Sequence, residues 1–287
     1  MREPDLSQLH ALAAVVSEGS FDSAATQLHI TPSAVSQRIK ALETSVGTVL
    51  VHRSKPARIT EAGMPYLRLA QQIGTLVAEL TPGTPASIPI AVNGDSLNTW
   101  VLPALAQLSH RMEFDIKRED QDHSAELLRQ GVVVAAVTTS ADAVQGCSVT
   151  RLGVMKYRPM CSPEFHETWF RDGPSGNALS RAPMIVFDRS DDLQHRYLEQ
   201  WGVTRRAGPT HFVPSSADFA EAVRLGMGWA VLPRQQIDRM RNGVDVVDLA
   251  PGTGVDVSLY WQQWTLKTAA LAELASVIVA AAGYSLD

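Results

Sequence analysis

The amino-acid sequence predicts an α/β protein with an α-rich N-terminal module. Three patterns predict it. Short capped helices with apolar stripes fill the stretch up to Val46. A Pro-, Gly- and hydroxyl-rich break, Thr81-Pro82-Gly83-Thr84-Pro85-Ala86-Ser87, follows a long helix. Beyond the break, β-branched runs alternate with amphipathic stretches, as in a sheet layered with helices.

Asp5 is a good N-cap and Gly19 a good C-terminal stop. A first helix is expected between them, with Leu6, Leu9, Leu12, Ala13 and Val16 as its apolar stripe. Ser20 caps a second helix whose core face is Phe21, Ala24, Ala25 and Leu28. Thr31 caps a third, with Pro32 at the first helical position, where a missing N–H costs nothing. Ala34 or Val35, Ile39 and Leu42 turn inward. Thr31, Pro32, Ser33, Ser36, Gln37 and Lys40 stay outside. Short hydroxyls and a glutamine bond base edges, and a lysine reaches a phosphate. A plain three-helix core with a polar surface has the same pattern, so the next segment decides. Val46–Val51 reads as a turn into a short strand, Arg53–Arg58 as a hairpin tip and Ile59 as a return strand. Arg53, Lys55 and Arg58 are then placed to grip the DNA backbone beside the third helix. Residues 1–59 are expected to form a winged helix–turn–helix that binds double-stranded DNA.

Thr60-Glu61-Ala62-Gly63 caps a long helix, expected over residues 60–80. Ala62, Tyr66, Leu69, Ile73, Leu76 and Leu80 recur at spacings of four and three, a heptad seam. A lone helix would leave that seam unburied. A second copy of the chain would cover it and pair two DNA-reading heads, which makes Tyr66, Leu69, Ile73, Leu76 and Leu80 candidate dimerisation residues. Packing against the chain's own body is the alternative.

Residues 81–87 are expected to be a hinge and residues 88–287 an α/β body. Strands are expected at Ile88–Val92, Phe114–Glu119, Val132–Thr138, Met184–Phe187, Thr210–Val213, Ala230–Leu232 and Val257–Trp261. Helices are expected at Leu97–His110, His123–Gln130, Leu193–Glu199, Ser216–Leu225, Gln235–Met240 and Leu266–Ala282. Two small sheets fit this order. Ligands in such folds bind at the carboxyl ends of strands. Asn93, Asp95 and Ser96 follow the first strand, Asp120 and Asp122 the second, and Thr138 and Thr139 the third. Asp188, Ser215 and Ser216 follow later strands. Trp100 is a candidate pocket wall, as are Tyr260, Trp261 and Trp264. Hydroxyls and helix-start N–H groups suit a carboxylate, and aspartates suit a cation. Together they suit a zwitterion with a positively charged side chain. Each residue alone is a common cap, so only their convergence would carry the reading.

Composition narrows the classes. The 287 residues are 45% hydrophobic and 19% charged, enough for two packed cores and against wholesale disorder. The net charge of −5 excludes a generally basic coat protein. Residues 1–80 carry seven Lys/Arg and seven Asp/Glu, so the DNA-binding cations form a local cluster on a neutral module. No unbroken apolar run reaches the length of a membrane helix, and Met1-Arg2-Glu3-Pro4-Asp5 lacks a signal-peptide pattern. A cytoplasmic location is expected, and this also counts against a secreted solute-binding protein. Cys147 and Cys161 lie outside any metal motif, so neither metal nor cofactor is expected. His123 stands beside Ser124, yet no G-x-S-x-G, H-E-x-x-H or P-loop occurs, and no enzyme activity is expected.

The run Gly19-Ser20-Phe21 … Ala24-Ala25 … Leu28 … Thr31–Glu43, then Gly47, Leu50, Arg53 and Thr60–Gly63, resembles the N-terminal signature of LysR-type transcriptional regulators. Ala91–Trp100, Glu119–His123 and Leu259-Tyr260-Trp261 resemble the LysG/ArgP-like branch, which senses lysine and arginine and controls genes such as a basic amino-acid exporter. The chain departs from that branch at Gly94, where alanine is usual. The resemblance implies that Pro32, Ser33, Ser36 and Gln37 face bases. It implies a two-lobed, periplasmic-binding-protein-like effector domain, with lobe I at about 88–160 and 265–287 and lobe II at about 161–264. It also implies a dimer that assembles to a tetramer, and contact with RNA polymerase. A regulator of the same family sensing another small molecule is the nearest competing reading.

Overall fold

The computed structural model describes residues 4–80, 86–119, 124–240 and 245–287, without the side chains of residues 78–80 and 86. The N-terminal module comprises α1 (Leu6–Glu18), α2 (Phe21–Gln27), α3 (Pro32–Val46) and a hairpin of β1 (Val51–His52) and β2 (Arg58–Ile59). The caps set its boundaries. The Asp5 carboxylate accepts from the Ser7 N–H at 2.7 Å, Ser20 Oγ from Ser23 N–H at 3.0 Å, and Thr31 Oγ1 from Ala34 N–H at 3.2 Å. Gly19 and Gly47 end α1 and α3 with φ of 67° and 85°, a region that favours glycine.

The core of this module contains Leu9, Leu12, Val15, Ala24, Ala25, Val35, Ile39, Leu42 and Leu50. The stripe on α1 differs from the expected one. Leu6 is 53% exposed, whereas Ala11, Ala14 and Val15 are buried. The reason is that α1 packs against α2, α3 and the linker helix at once, so its buried arc is broader than a one-sided stripe.

A short turn over Glu61–Gly63, capped by Thr60, leads into α4 (Met64–Leu80). Leu67 and Ala70 are buried against the N-terminal core, with Tyr66 and Ile73 partly so. Leu69 and Leu76 are exposed. The expected seam is therefore divided between an inner and an outer face. The side chain of Leu80 lies outside the described residues. Arg68, on α4, donates to the carbonyls of Arg129 at 2.7 Å and Gln145 at 3.2 Å, which ties the linker helix to the body.

The body contains β3 (Ala86–Val92), α5 (Gly94–Ser96), α6 (Leu102–Ala106), β4 (Met112–Arg118), α7 (Ser124–Gln130), β5 (Ala135–Thr138), β6 (Cys147–Cys161), α8 (Pro163–Trp169) and α9 (Gly176–Arg181). It continues with β7 (Met184–Val186), α10 (Leu193–Gln200), β8 (Thr210–Phe212), α11 (Ser216–Arg224), β9 (Ala230–Pro233), α12 (Arg234–Met240), β10 (Val247–Asp248), β11 (Val255–Trp264) and α13 (Ala269–Ser285). One curled sheet runs β10-β6-β11-β5-β3-β4, with β9 also paired to β6. β3 is parallel to β4 and β5, and the other pairs are antiparallel. β7 and β8 form a separate parallel pair.

Two lobes result, one around β3, β4 and β5 and one around β7 to β10. The long strands β6 and β11 run through both, so the two small sheets expected from the sequence join into one. Ala86 and Ser87, expected in the hinge, already pair with Met112 and Glu113. The helix expected over Leu97–His110 is instead α5, a wide π-type turn over Leu97–Val101, and α6. Trp229, Trp261 and Trp264 are fully buried. Among the described residues, no helix is long and apolar enough to cross a membrane.

Candidate functional site

Two sites are assembled at opposite ends of the sequence. At the N-terminal end, Thr31, Pro32, Ser33, Gln37 and Lys40 of the third helix are exposed and Ser36 is half-buried. The neighbouring hairpin exposes Arg53, Lys55 and Arg58. Three contacts fix the hairpin to the helices. Ala57 N–H donates to the Gly19 carbonyl at 2.7 Å. The Glu43 carboxylate accepts from Leu50 and Val51 N–H at 2.9 and 3.3 Å. The Arg53 guanidinium lies 5.4 Å from the centre of the Phe21 ring. Lys40, Arg53, Lys55 and Arg58 form no ion pair among the described residues, so their charge faces outward.

In the body, a cleft of about 430 Å³ opens between the lobes. Its walls include Asn93, Gly94 and Asp95 after β3, Thr139 after β5, Asp256 to Ser258 of β11, and Phe187 with Ser190 to Gln194 of the other lobe. Asn93 Oδ1 caps the helix that follows by accepting from Ser96 N–H at 2.8 Å. Asp95 sits in the first turn of that helix. Its carboxylate accepts from Ser216 Oγ at 2.6 Å and from the Tyr157 hydroxyl at 3.0 Å. Asp191 accepts from Leu193 N–H at 3.0 Å and Phe187 N–H at 3.1 Å. Burial pushes the Asp95 carboxyl above its ordinary value, against its two hydroxyl donors. Burial does the same to Asp191, against its backbone donors, and the nearby charge of Asp95 adds to the shift. Four lining residues are aspartates (Asp95, Asp191, Asp192, Asp256) and one, Arg196, is basic, among the described residues. Asp256 already pairs with Arg158 at 3.2 Å.

Both halves match one family of known proteins. Residues 6–64 match the bacterial regulatory helix-turn-helix of the lysR family, and residues 85–283 match the LysR substrate binding domain. The chain belongs to the LysR family of transcriptional regulators. Within that family it is 45% identical to the HTH-type transcriptional regulator LysG of Mycobacterium tuberculosis, over 98% of this chain and 95% of that one. The crystal structure of ArgP from Mycobacterium tuberculosis superposes with a TM-score of 0.84 at 42% identity, covering 100% of this chain and 99% of that one. Full-length LysG from Corynebacterium glutamicum with bound effector Arg superposes with a TM-score of 0.74 at 37% identity, covering 98% and 99%.

The LysR-family body brings only part of the expected effector set together. Asn93, Asp95 and Thr139 line the cleft, and Ser216 reaches it through Asp95. Thr138 is buried behind it and accepts from Gln262 Nε2 at 3.2 Å. Ser96 and Trp100 are buried and line no part of the cleft, and Trp261 and Trp264 are core. Asp188 does not line it either, because its carboxylate is spent on its own loop, accepting from Ser190 and Asp191 N–H at 2.7 and 3.2 Å. Ser215 stands at the start of α11 without a side-chain capping bond. Asp120 and Asp122 lie outside the described residues.

Sequence reading missed Tyr157, Asp191, Asp192 and Arg196. Tyr157 belongs to β6, whose apolar–polar alternation from Met155 to Arg158 was the available signal. The aspartates stand just after an expected strand end, as Asp188 does, but nothing local tells which of them turns inward. A methyl group at Gly94 would meet Phe187 and Ser216 at 3.8 Å, ordinary contact, so this departure from the branch pattern leaves a little extra room in the cleft.

Proposed function

We propose that this LysR-family regulator senses arginine or lysine in the interlobe cleft and controls genes for amino-acid export or metabolism. The observation that carries the effector reading is the pair Asp95 and Asp191, set in one cleft and both held by neutral donors. Among the described residues neither carboxylate forms an ion pair, and a guanidinium or ammonium side chain would supply the missing cation. Arg196 is the cleft's complement to the effector's α-carboxylate. The arginine described as bound effector in the Corynebacterium glutamicum relative supports the same class.

In this reading, effector binding tilts the lobes and changes the spacing of the DNA-reading heads at the promoter, hence contact with RNA polymerase. An effector acts only through its different affinity for two assembly states, typically about 1–3 kcal/mol. The heads are paired through the outer face of α4, and two dimers form a tetramer in the cytoplasm. No catalytic step is assigned.

A thermal-shift series tests the effector half. Arginine or lysine should raise the melting temperature of the wild type, citrulline and norleucine should raise it far less, and Asp95→Asn should abolish the difference. Stabilisation by an aromatic acid instead would reject a basic effector. For the DNA half, Ser36→Ala, Gln37→Ala and Arg53→Ala should each weaken operator binding. Unchanged affinity in all three would remove the assignment of this face.

A further inference from the structure

The wide turn over Leu97–Val101 interrupts the helix that begins at the cleft. In such a turn, N–H groups reach back five residues, and the regular pairing of carbonyls is broken. A residue from the other lobe takes up the slack. Arg239, on α12, donates from Nη1 to the Asn98 carbonyl at 2.8 Å and from Nη2 to the Thr99 carbonyl at 2.6 Å. A guanidinium fork fits two adjacent carbonyls in this way. Thr99 then donates its hydroxyl to the Asp95 carbonyl at 2.6 Å, so the held turn is tied directly to the backbone of the cleft carboxylate.

One turn earlier on the same helix, buried Gln236 makes a second connection. Its Nε2 donates to the Ser216 carbonyl at 3.1 Å and to Ser216 Oγ at 2.8 Å. A backbone carbonyl only accepts, so the amide nitrogen must face it. Ser216 Oγ therefore receives a proton from Gln236 and gives its own to Asp95 at 2.6 Å. The chain of donors runs one way, from α12 to the carboxylate. Gln235 anchors α12 on its other side by donating to the Ser285 carbonyl at the end of α13. Neither Gln236 nor Arg239 lines the cleft.

We infer that α12 is the positioning element of the effector site. Gln236, acting through Ser216, aims the Asp95 carboxylate, and Arg239 holds the wide turn that carries it. This rests on the reading of the cleft as a site for a basic amino acid. It gives one lobe control over the geometry of the cation-binding group on the other, and so makes affinity depend on how the lobes are set.

The test uses the full-length protein and titration calorimetry with arginine and citrulline, which differ in charge but scarcely in shape. The wild type should prefer arginine. Gln236→Leu should lower arginine affinity about tenfold, the effect of losing one buried hydrogen bond in the chain that ends on the carboxylate, and leave citrulline unchanged. Arg239→Ala should weaken both ligands, and Arg239→Lys should recover only part of the loss, because an ammonium is a single point donor without the planar fork that meets both carbonyls. A purely structural role would lower the melting temperature without moving the arginine-to-citrulline ratio. Should Gln236→Leu fail to fold, Ser216→Ala cuts the same chain one link on and should give the same loss of preference. A wild-type ratio in the variant at 236 or 216, or unchanged affinity in Arg239→Ala, overturns the inference. A wild type that binds neither arginine nor lysine would instead overturn the cleft reading beneath it.

Discussion

Asp95 shows how a single residue's chemistry depends on its setting. In the chain it is an aspartate after a strand, one of many. In the fold it accepts two hydroxyl donors, stands near Asp191, and has its pKa raised by burial. A raised carboxyl pKa means that the folded state holds its proton at a pH where the unfolded chain has lost it. Stability of the effector-free protein should therefore rise as pH falls from each carboxyl's folded-state value toward the ordinary value of 3.8, as far as these two groups govern it. Effector affinity should change the other way, weakening as pH falls through the same window, since a protonated carboxyl offers no charge to a cation. Arginine should also release protons on binding wherever the carboxyls are partly protonated. Calorimetry in buffers of different ionisation enthalpy reads this directly, and proton uptake on binding would contradict the assigned role of the pair.

Gly63 matters at the scale of elements, because the turn Glu61–Gly63 wedges the linker helix against the hairpin. A Cβ there would press into the Leu50 carbonyl oxygen and lie 2.6 Å from Ile59 Cδ1. Leu50 N–H is itself held by Glu43 of α3, so the hairpin has nowhere to retreat. Gly63→Ala should destabilise the N-terminal module by about 1–3 kcal/mol, the usual cost of overpacking. The wing would shift with it, so operator affinity should fall while effector binding stays unchanged. Equal losses in both activities would show that the strain spreads beyond this module. The caps at Asp5, Ser20 and Thr31 explain why α1, α2 and α3 were readable in advance. Each cap is satisfied within three residues, so the signal is local. The strand β6 was not readable in that way. Gly153, Pro159 and three basic residues, Arg151, Lys156 and Arg158, interrupt it, and it holds together because β11 pairs along most of its length.

For the whole molecule, the two faces of α4 bear on the proposed pairing of copies. One face is used inside the chain, with Leu67 and Ala70 on the N-terminal core and Arg68 on the body. Gly131, with φ of 74°, lets the body's backbone come so close that a Cβ would lie 2.9 Å from Arg68 Cα. The other face leaves Leu69, Leu76 and Val77 exposed at 40%, 43% and 46%. Exposed leucines at heptad spacing are costly for a monomer and suit a second helix. The double variant Leu69→Asp, Leu76→Asp should run as a monomer in sedimentation and keep its circular dichroism. Its operator affinity should drop, because two linked heads bind with a high effective concentration and one does not. An unchanged oligomer would place the interface elsewhere.

The sequence by itself determined the capped helices and hairpin of the N-terminal module and, β6 aside, much of the alternation of strands and helices in the body, whereas residues 81–85 of the expected hinge lie outside the described residues. Those features depend on caps, turns and periodicities that close within a few residues. The cleft was decided only in three dimensions. Ser216 and Asp95 are 121 residues apart, and Tyr157 and Asp95 are 62 apart. Their meeting depends on two long strands crossing between lobes, and no local signal records which strands will pair. The same tertiary arrangement took Trp100 and Asp188 out of the expected site and brought Asp191 into it, because packing and loop hydrogen bonds, rather than residue type, settle which side chains remain free to meet a ligand.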